Sequence, residues 1–175
     1  MKVAITGHTS GIGKEIANLF PDHLGFSRSN GYDISVDEQQ EQIISQSLEC
    51  NVFINNAYFK NAQSKIFSMI LEHWRYDASK TIVNIVSRAQ YDHHDDEYTN
   101  NKRDLAKISH PGAMYDRECR IININPGWVA TDRIPEQWLI EENHPYISSH
   151  QCAQYIKWAV DQDLEIGELA FWGTK

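Results

Sequence analysis

The stretch Lys2-Val3-Ala4-Ile5-Thr6-Gly7-His8-Thr9-Ser10-Gly11-Ile12-Gly13 decides how the chain is read. Lys2 to Thr6 has the pattern of a short buried strand. A glycine turn follows at once, and then a helix whose apolar face carries Ile12, Ile16, Leu19 and Phe20 at helical spacing. In that setting glycines permit a tight turn and a close backbone approach. The helix start offers free amides and a positive dipole end to a pyrophosphate. The spacing, Gly-x-x-x-Gly-x-Gly over Gly7, Gly11 and Gly13, differs from the Gly-x-Gly-x-x-Gly fingerprint. A merely structural glycine turn is the competing reading.

Moving outward, a second strand over about His23 to Ser27 ends in Ser27-Arg28-Ser29. In dinucleotide folds an acid at this strand tip accepts a ribose 2′-hydroxyl, whereas an arginine accommodates a 2′-phosphate. Arg28 without an adjacent acid points to NADP(H) over NAD(H). Only four residues then separate Arg28 from Asp33-Ile34, too few for a crossover helix and a further strand. Ser35-Val36-Asp37-Glu38 reads as a capping box opening a helix to about Glu49, with Val36, Ile43, Ile44 and Leu48 facing inward. The strand Asn51 to Asn55 follows and runs into Asn55-Asn56-Ala57.

Past the midpoint, the apolar run Thr81-Ile82-Val83-Asn84-Ile85-Val86-Ser87 precedes Tyr98-Thr99-Asn100-Asn101-Lys102. On a helix, the spacing of four puts the Tyr98 phenol and the Lys102 ammonium on one face. A cation beside a phenol favours the phenolate, so the phenol's pKa is expected to fall from its reference of about 10 toward working pH. Alone, such a pair is common on solvated helices.

The totals bound the function. At 175 residues the chain is long enough for one domain over 1–175 with its own core. No run approaches the roughly 18 apolar residues of a membrane span, and no signal-peptide layout precedes the first strand, so a cytoplasmic protein is expected. Cys50, Cys119 and Cys152 are scattered without metal or redox spacing. A net charge of -8 argues against nucleic acid.

Six motifs in order make the chain resemble a short-chain dehydrogenase/reductase. They are Thr6-Gly7-x-x-x-Gly11-Ile12-Gly13, Asp33-Ile34, Asn55-Asn56-Ala57, Ile82 to Ser87, Tyr98-x-x-x-Lys102, and Pro126-Gly127-Trp128-Val129-Ala130-Thr131. The resemblance implies a doubly wound α/β Rossmann fold, with a mostly parallel sheet of six to seven strands and trimmed crossover helices. It also implies an oxidoreductase that uses a nicotinamide dinucleotide on a small carbonyl or alcohol substrate.

In the resemblance, Ser87 hydrogen-bonds the substrate oxygen and Tyr98 exchanges a proton with it. Lys102 binds nicotinamide-ribose hydroxyls and lowers the Tyr98 pKa. The implied cofactor-binding set is Gly7, Thr9, Ser10, Gly11, Ile12, Gly13, Arg28, Asp33, Ile34, Asn55, Asn56, Ala57, Tyr98, Lys102, Pro126, Gly127, Val129 and Thr131. No metal site is implied.

The departures from the family pattern are specific. Tyr58 stands where a glycine is usual, and only 24 residues (58–81) lie between Ala57 and Ile82. That room holds one helix, Ala62 to about Trp74, where the family places two helical segments. The missing piece carries an asparagine that completes a relay with serine, tyrosine and lysine. Asn61 is the nearest substitute, although its offset from the helix is wrong. The same region normally helps form an oligomer interface, which leaves the usual homo-oligomer in doubt. A nucleotide-binding sensor or scaffold that turns nothing over is the alternative reading.

Among the remaining segments, His93-His94 among carboxylates reads as a solvated loop and helix start. Asp132 to Tyr146 reads as an irregular candidate lid containing Trp138. Ser148-Ser149-His150-Gln151 caps a final helix carrying Ala153, Ile156, Ala159 and Val160, and Gly167 to Trp172 supplies a last strand.

Overall fold

The computed structural model describes residues 1–114 and 116–174. Eight strands and six α-helices succeed one another along the described chain. The first half runs β1 (Val3–Thr6), α1 (Gly11–Leu19), β2 (His23–Phe26), α2 (Asp37–Ser47), β3 (Val52–Asn55), α3 (Ala62–Trp74) and β4 (Thr81–Ile85). The second runs α4 (Glu97–Ile108), β5 (Arg120–Pro126), β6 (Trp128–Ala130), α5 (Glu136–Glu141), β7 (Tyr146–Ser148), α6 (Ser149–Val160) and β8 (Glu168–Phe171).

Six strands form one sheet in the order β2-β1-β3-β4-β5-β8, and every pairing is parallel. The central strands are short β-branched runs buried on both faces, which is what a parallel sheet covered by helices requires. Alternate residues serve opposite layers. Val3, Ile5, Val52 and Ile54 pack against α1 and α6, whereas Ala4, Phe53, Ile82 and Ile121 pack against α2, α3 and α4. The sheet therefore has a helical layer on each side. No helix among the described residues is long and apolar enough to cross a membrane.

The strand order reverses at β1, which has β2 on one side and β3 on the other. In open α/β sheets such a reversal leaves a crevice beyond the carboxyl ends of the strands. The glycine loop after β1 and Asn56-Ala57 after β3 both lie there.

The segment after β2 forms a 3-10 turn, Arg28–Asn30, closed by Gly31 at φ 90, and no strand intervenes before α2, as the short spacing between Arg28 and Asp33 predicts. Other local expectations are corrected. The Ser35 capping box does not form. The Asp33 carboxylate accepts the Ser35 amide at 2.9 Å and the Gln39 side chain accepts the Asp33 amide, which holds residues 33–35 in a turn. Helix α2 accordingly begins at Asp37, with Val36 at its N-cap. Asp132 to Tyr146 is not irregular throughout. It contains α5, anchored by the fully buried Leu139, and leads into β7, which pairs with β6 in a small parallel sheet. The capping box at Ser148 forms as expected, with Gln151 as its reciprocal partner.

Candidate active site

The glycine loop is shaped by what it must pass. Gly7 and Gly11 have φ of 71 and 51, a left-handed backbone that side chains disfavour. A Cβ on Gly13 would overlap the Gly7 carbonyl oxygen and lie 2.6 Å from Asn56 Nδ2. The start of α1 is thus pressed against the tip of β3.

Thr6 fastens the two. Its Oγ1 accepts the amides of Asn56 and Ala57 at 2.9 and 3.0 Å, and the Asn56 side chain donates to the Thr6 carbonyl at 3.0 Å. Ser10, at the N-cap of α1, makes no side-chain capping bond, so its hydroxyl does not occupy the first-turn amides. Thr131 reaches the same place, because a Cβ on Gly11 would meet its methyl at 3.4 Å. The residues fit a pyrophosphate: a glycine-walled cradle at a helix N-terminus whose amides are not capped by the N-cap side chain.

Tyr98 and Lys102 lie one turn apart on α4, whose N-cap is Asp96. Its carboxylate accepts the Thr99 amide and hydroxyl at 2.9 and 2.7 Å. Asp96, one of the acids ahead of Tyr98, thus starts α4. Ser87 ends the β4 segment and accepts the Ala89 amide at 3.1 Å. Its hydroxyl is also near enough to the Tyr98 phenol to draw the phenol's pKa down.

The net shift of Tyr98 is nevertheless upward: although the residue is 41% exposed, desolvation of the phenol outweighs the pull of Ser87, and Tyr58 and Asp96 add to the rise. This corrects the expectation that Lys102 lowers it. The Lys102 ammonium makes its hydrogen bonds to other groups: Nζ donates to Gln63 Oε1 and to the Ile85 carbonyl, both at 2.7 Å, and stands 5.5 Å from the Tyr98 ring centre. Lys102 is 3% exposed, and burial brings its own pKa from 10.5 to about 7. A lysine whose charge is disfavoured by burial stabilises a phenolate weakly.

Other members of the predicted set are spread more widely. Arg28 sits in the exposed 3-10 turn at the tip of β2, near enough to Asp33 to lower its carboxyl further after the Ser35 hydrogen bonds have done so. Ile34 and Val129 are core residues, and Pro126 ends buried β5. Gly127 passes close to Trp172. Asn55 does not face the cradle with its side chain, which is buried and donates to the Gln63 carbonyl at 2.8 Å and Asn84 Oδ1 at 3.1 Å. Asn84 in turn donates to Asn123, so register pairing lines up three amides across β3, β4 and β5.

Sequence reasoning missed Gln63 and underused Tyr58. The Tyr58 ring meets Tyr98 edge-on at 4.9 Å, and its hydroxyl accepts from Asn101 at 3.2 Å. Asn61 is exposed at the N-cap of α3, away from Lys102's hydrogen bonds. The available signal for Gln63 was its place in the first turn of α3, on the face that carries Ile66, Phe67 and Ile70, where a polar residue needs a buried partner.

No protein-family model matches the chain, and no curated protein matches it. Solved structures do. The closed form of a serine dehydrogenase complexed with NADP+ is similar over 98% of this chain and 94% of its own, at a TM-score of 0.79 and 15% identity. A 3-ketoacyl-(acyl-carrier-protein) reductase from Brucella melitensis complexed with NADH matches over 97% and 95%, at 0.79 and 13%. A short-chain dehydrogenase from Streptomyces avermitilis matches over 97% and 88%, at 0.75 and 16%. At these identities the likeness is one of fold, and it extends across nearly the whole chain.

Proposed function

We propose that this chain is a short-chain dehydrogenase/reductase, a single-domain, cytoplasmic, NADP(H)-dependent oxidoreductase acting on a small carbonyl or alcohol. The observation that carries the reading is the convergence of Ser87 and Tyr98, with Lys102 one turn on, at the carboxyl end of a sheet whose reversal point holds a glycine cradle. The folds it resembles include structures holding NADP+ and NADH, which supports a nicotinamide dinucleotide without choosing between the two. Arg28 carries the preference for NADP(H).

The cradle of Gly7, Gly11, Gly13 and the first turn of α1 would hold the pyrophosphate, with Asn56, Ala57 and Thr131 beside it. The bound dinucleotide supplies the hydride chemistry. Ser87 orients the substrate oxygen. Tyr98 holds the proton that this oxygen takes in reduction or gives up in oxidation, and a raised pKa keeps the phenol protonated as a general acid. Lys102 supplies a donor beside it.

The test is Tyr98→Phe, assayed with NADPH and NADP+ against a panel of small aldehydes, ketones and alcohols. Turnover of any substrate found with the wild type is expected to fall by about 10²–10⁴-fold while the dinucleotide still raises the melting temperature. Full turnover by the phenylalanine variant, or no turnover by the wild type across the panel, overturns the reading.

A further inference from the structure

Among the described residues, Gln63 is the one side chain hydrogen-bonded to the Lys102 ammonium, and its orientation is forced. It is 2% exposed, and its Nε2 donates to the carbonyls of Asn55 at 2.6 Å and Ile85 at 3.0 Å. Carbonyls only accept and an ammonium only donates, so the amide has one satisfactory rotamer, with Oε1 on Lys102. The backbone of Gln63 is pinned as well, because its carbonyl accepts from the Asn55 side chain. The residue thus clamps the ends of β3 and β4 together and presents its free oxygen to α4.

We propose that Gln63 is the positioning residue for Lys102, doing by direct contact what the trimmed helix no longer allows an asparagine to do. The proposal rests on the reading of Lys102 as part of the active site. An ammonium has three donors; Gln63 Oε1 and the Ile85 carbonyl take two, which leaves one for a ligand beside Tyr98. Both acceptors are neutral, and no described carboxylate forms a salt bridge with Lys102. The titratable groups facing it are Tyr98 from α4 and Tyr58 from the loop after β3, with ring centres 5.5 and 5.2 Å from Nζ. Helix α3 presents Gln63 and β4 presents a backbone carbonyl. The character of residue 63 therefore sets how readily the lysine keeps its proton.

The experiment is a pH titration of the Lys102 side chain by NMR in dinucleotide-free protein labelled with ¹³C at lysine, with the signal assigned by its loss in Lys102→Met. Gln63→Glu places a carboxylate on the ammonium and is expected to move the midpoint up by about one pH unit or more. Gln63→Met keeps the volume, removes the acceptor and is expected to move it down. Opposite shifts are not produced by a residue that merely packs. If one variant fails to fold, the sign of the shift in the other decides.

Midpoints unchanged from the wild type in the folded variants overturn the proposal, even if the enzyme turns over. Shifts of the expected signs uphold it, even if no carbonyl or alcohol is ever turned over, so this proposal and the dehydrogenase reading can fail separately.

Discussion

Gly13 lies against Gly7 so closely that this position in the first turn of α1 has no room for a side chain, and a Cβ there would overlap the Gly7 carbonyl. The obstruction is backbone, which cannot rotate aside. Gly13→Ala is therefore expected to push α1 off the tip of β3, costing about 1–3 kcal/mol. For a domain of this size that is a fall of several degrees in melting temperature. It is also expected to abolish the thermal shift produced by dinucleotide. An alanine variant that melts and binds like the wild type would remove the basis for the cradle.

Arg28 stands on an exposed turn at the edge of the candidate crevice. A charge-assisted hydrogen bond to a 2′-phosphate is worth about 1.5–3 kcal/mol, or roughly 10–100-fold in affinity. Arg28→Ala should weaken NADPH by about that factor and leave NADH nearly untouched, as measured by calorimetry. Equal loss for both dinucleotides would show that Arg28 does not read the phosphate.

Lys102 binds its proton with a pKa of about 7 when folded, against an ordinary value of 10.5. Between those values the unfolded chain holds the additional proton, so this group's effect on stability becomes more favourable as pH rises. The slope approaches about 1.4 kcal/mol per pH unit. Below pH 7 the full cost of burying the charge is present. Lys102→Met has no such group. Its stability advantage over the wild type in urea titrations should be largest at pH 6–7 and should narrow toward pH 9. A gap that does not change with pH would mean that Lys102 is not desolvated.

Trp74 closes α3 from beneath, buried against Phe53 with ring centres 6.4 Å apart, and its Nε1 has no hydrogen-bond partner among the described residues. Trp74→Ala should cost about 3–5 kcal/mol through the cavity it leaves. Trp74→Phe gives up no hydrogen bond and should cost less than half as much. Denaturant midpoints distinguish the two, and similar losses for both would mean that the indole N–H contributes after all.

The local patterns carried a great deal. The β-branched runs at Val3, Val52, Thr81 and Arg120, the glycines at 7, 11 and 13, and the spacing of Ile66, Phe67, Ile70 and Trp74 are one-dimensional signals. Burial on both faces or on one helical stripe writes directly into residue order. The single helix between β3 and β4 follows from them, as does the placement of Tyr98 and Lys102 one turn apart, while the strand reversal at β1 was implied by the family resemblance.

Packing decided the rest. Ser35 looked like a helix cap until Asp33 and Gln39 claimed the local amides. Lys102 looked like the partner of Tyr98, yet its ammonium faces Gln63, a residue 39 positions away that became a neighbour only when α3 settled over the ends of β3 and β4. The direction of both pKa shifts was settled by desolvation, of a deeply buried ammonium in Lys102 and of the phenol in the partly exposed Tyr98. Residue order records which side chains are apolar and how they repeat, but it does not record how far a charge sits from water or which carbonyl is turned toward it. Those are properties of the assembled layers, and in this protein they turn a common tyrosine–lysine pair into a protonated phenol beside a titratable lysine.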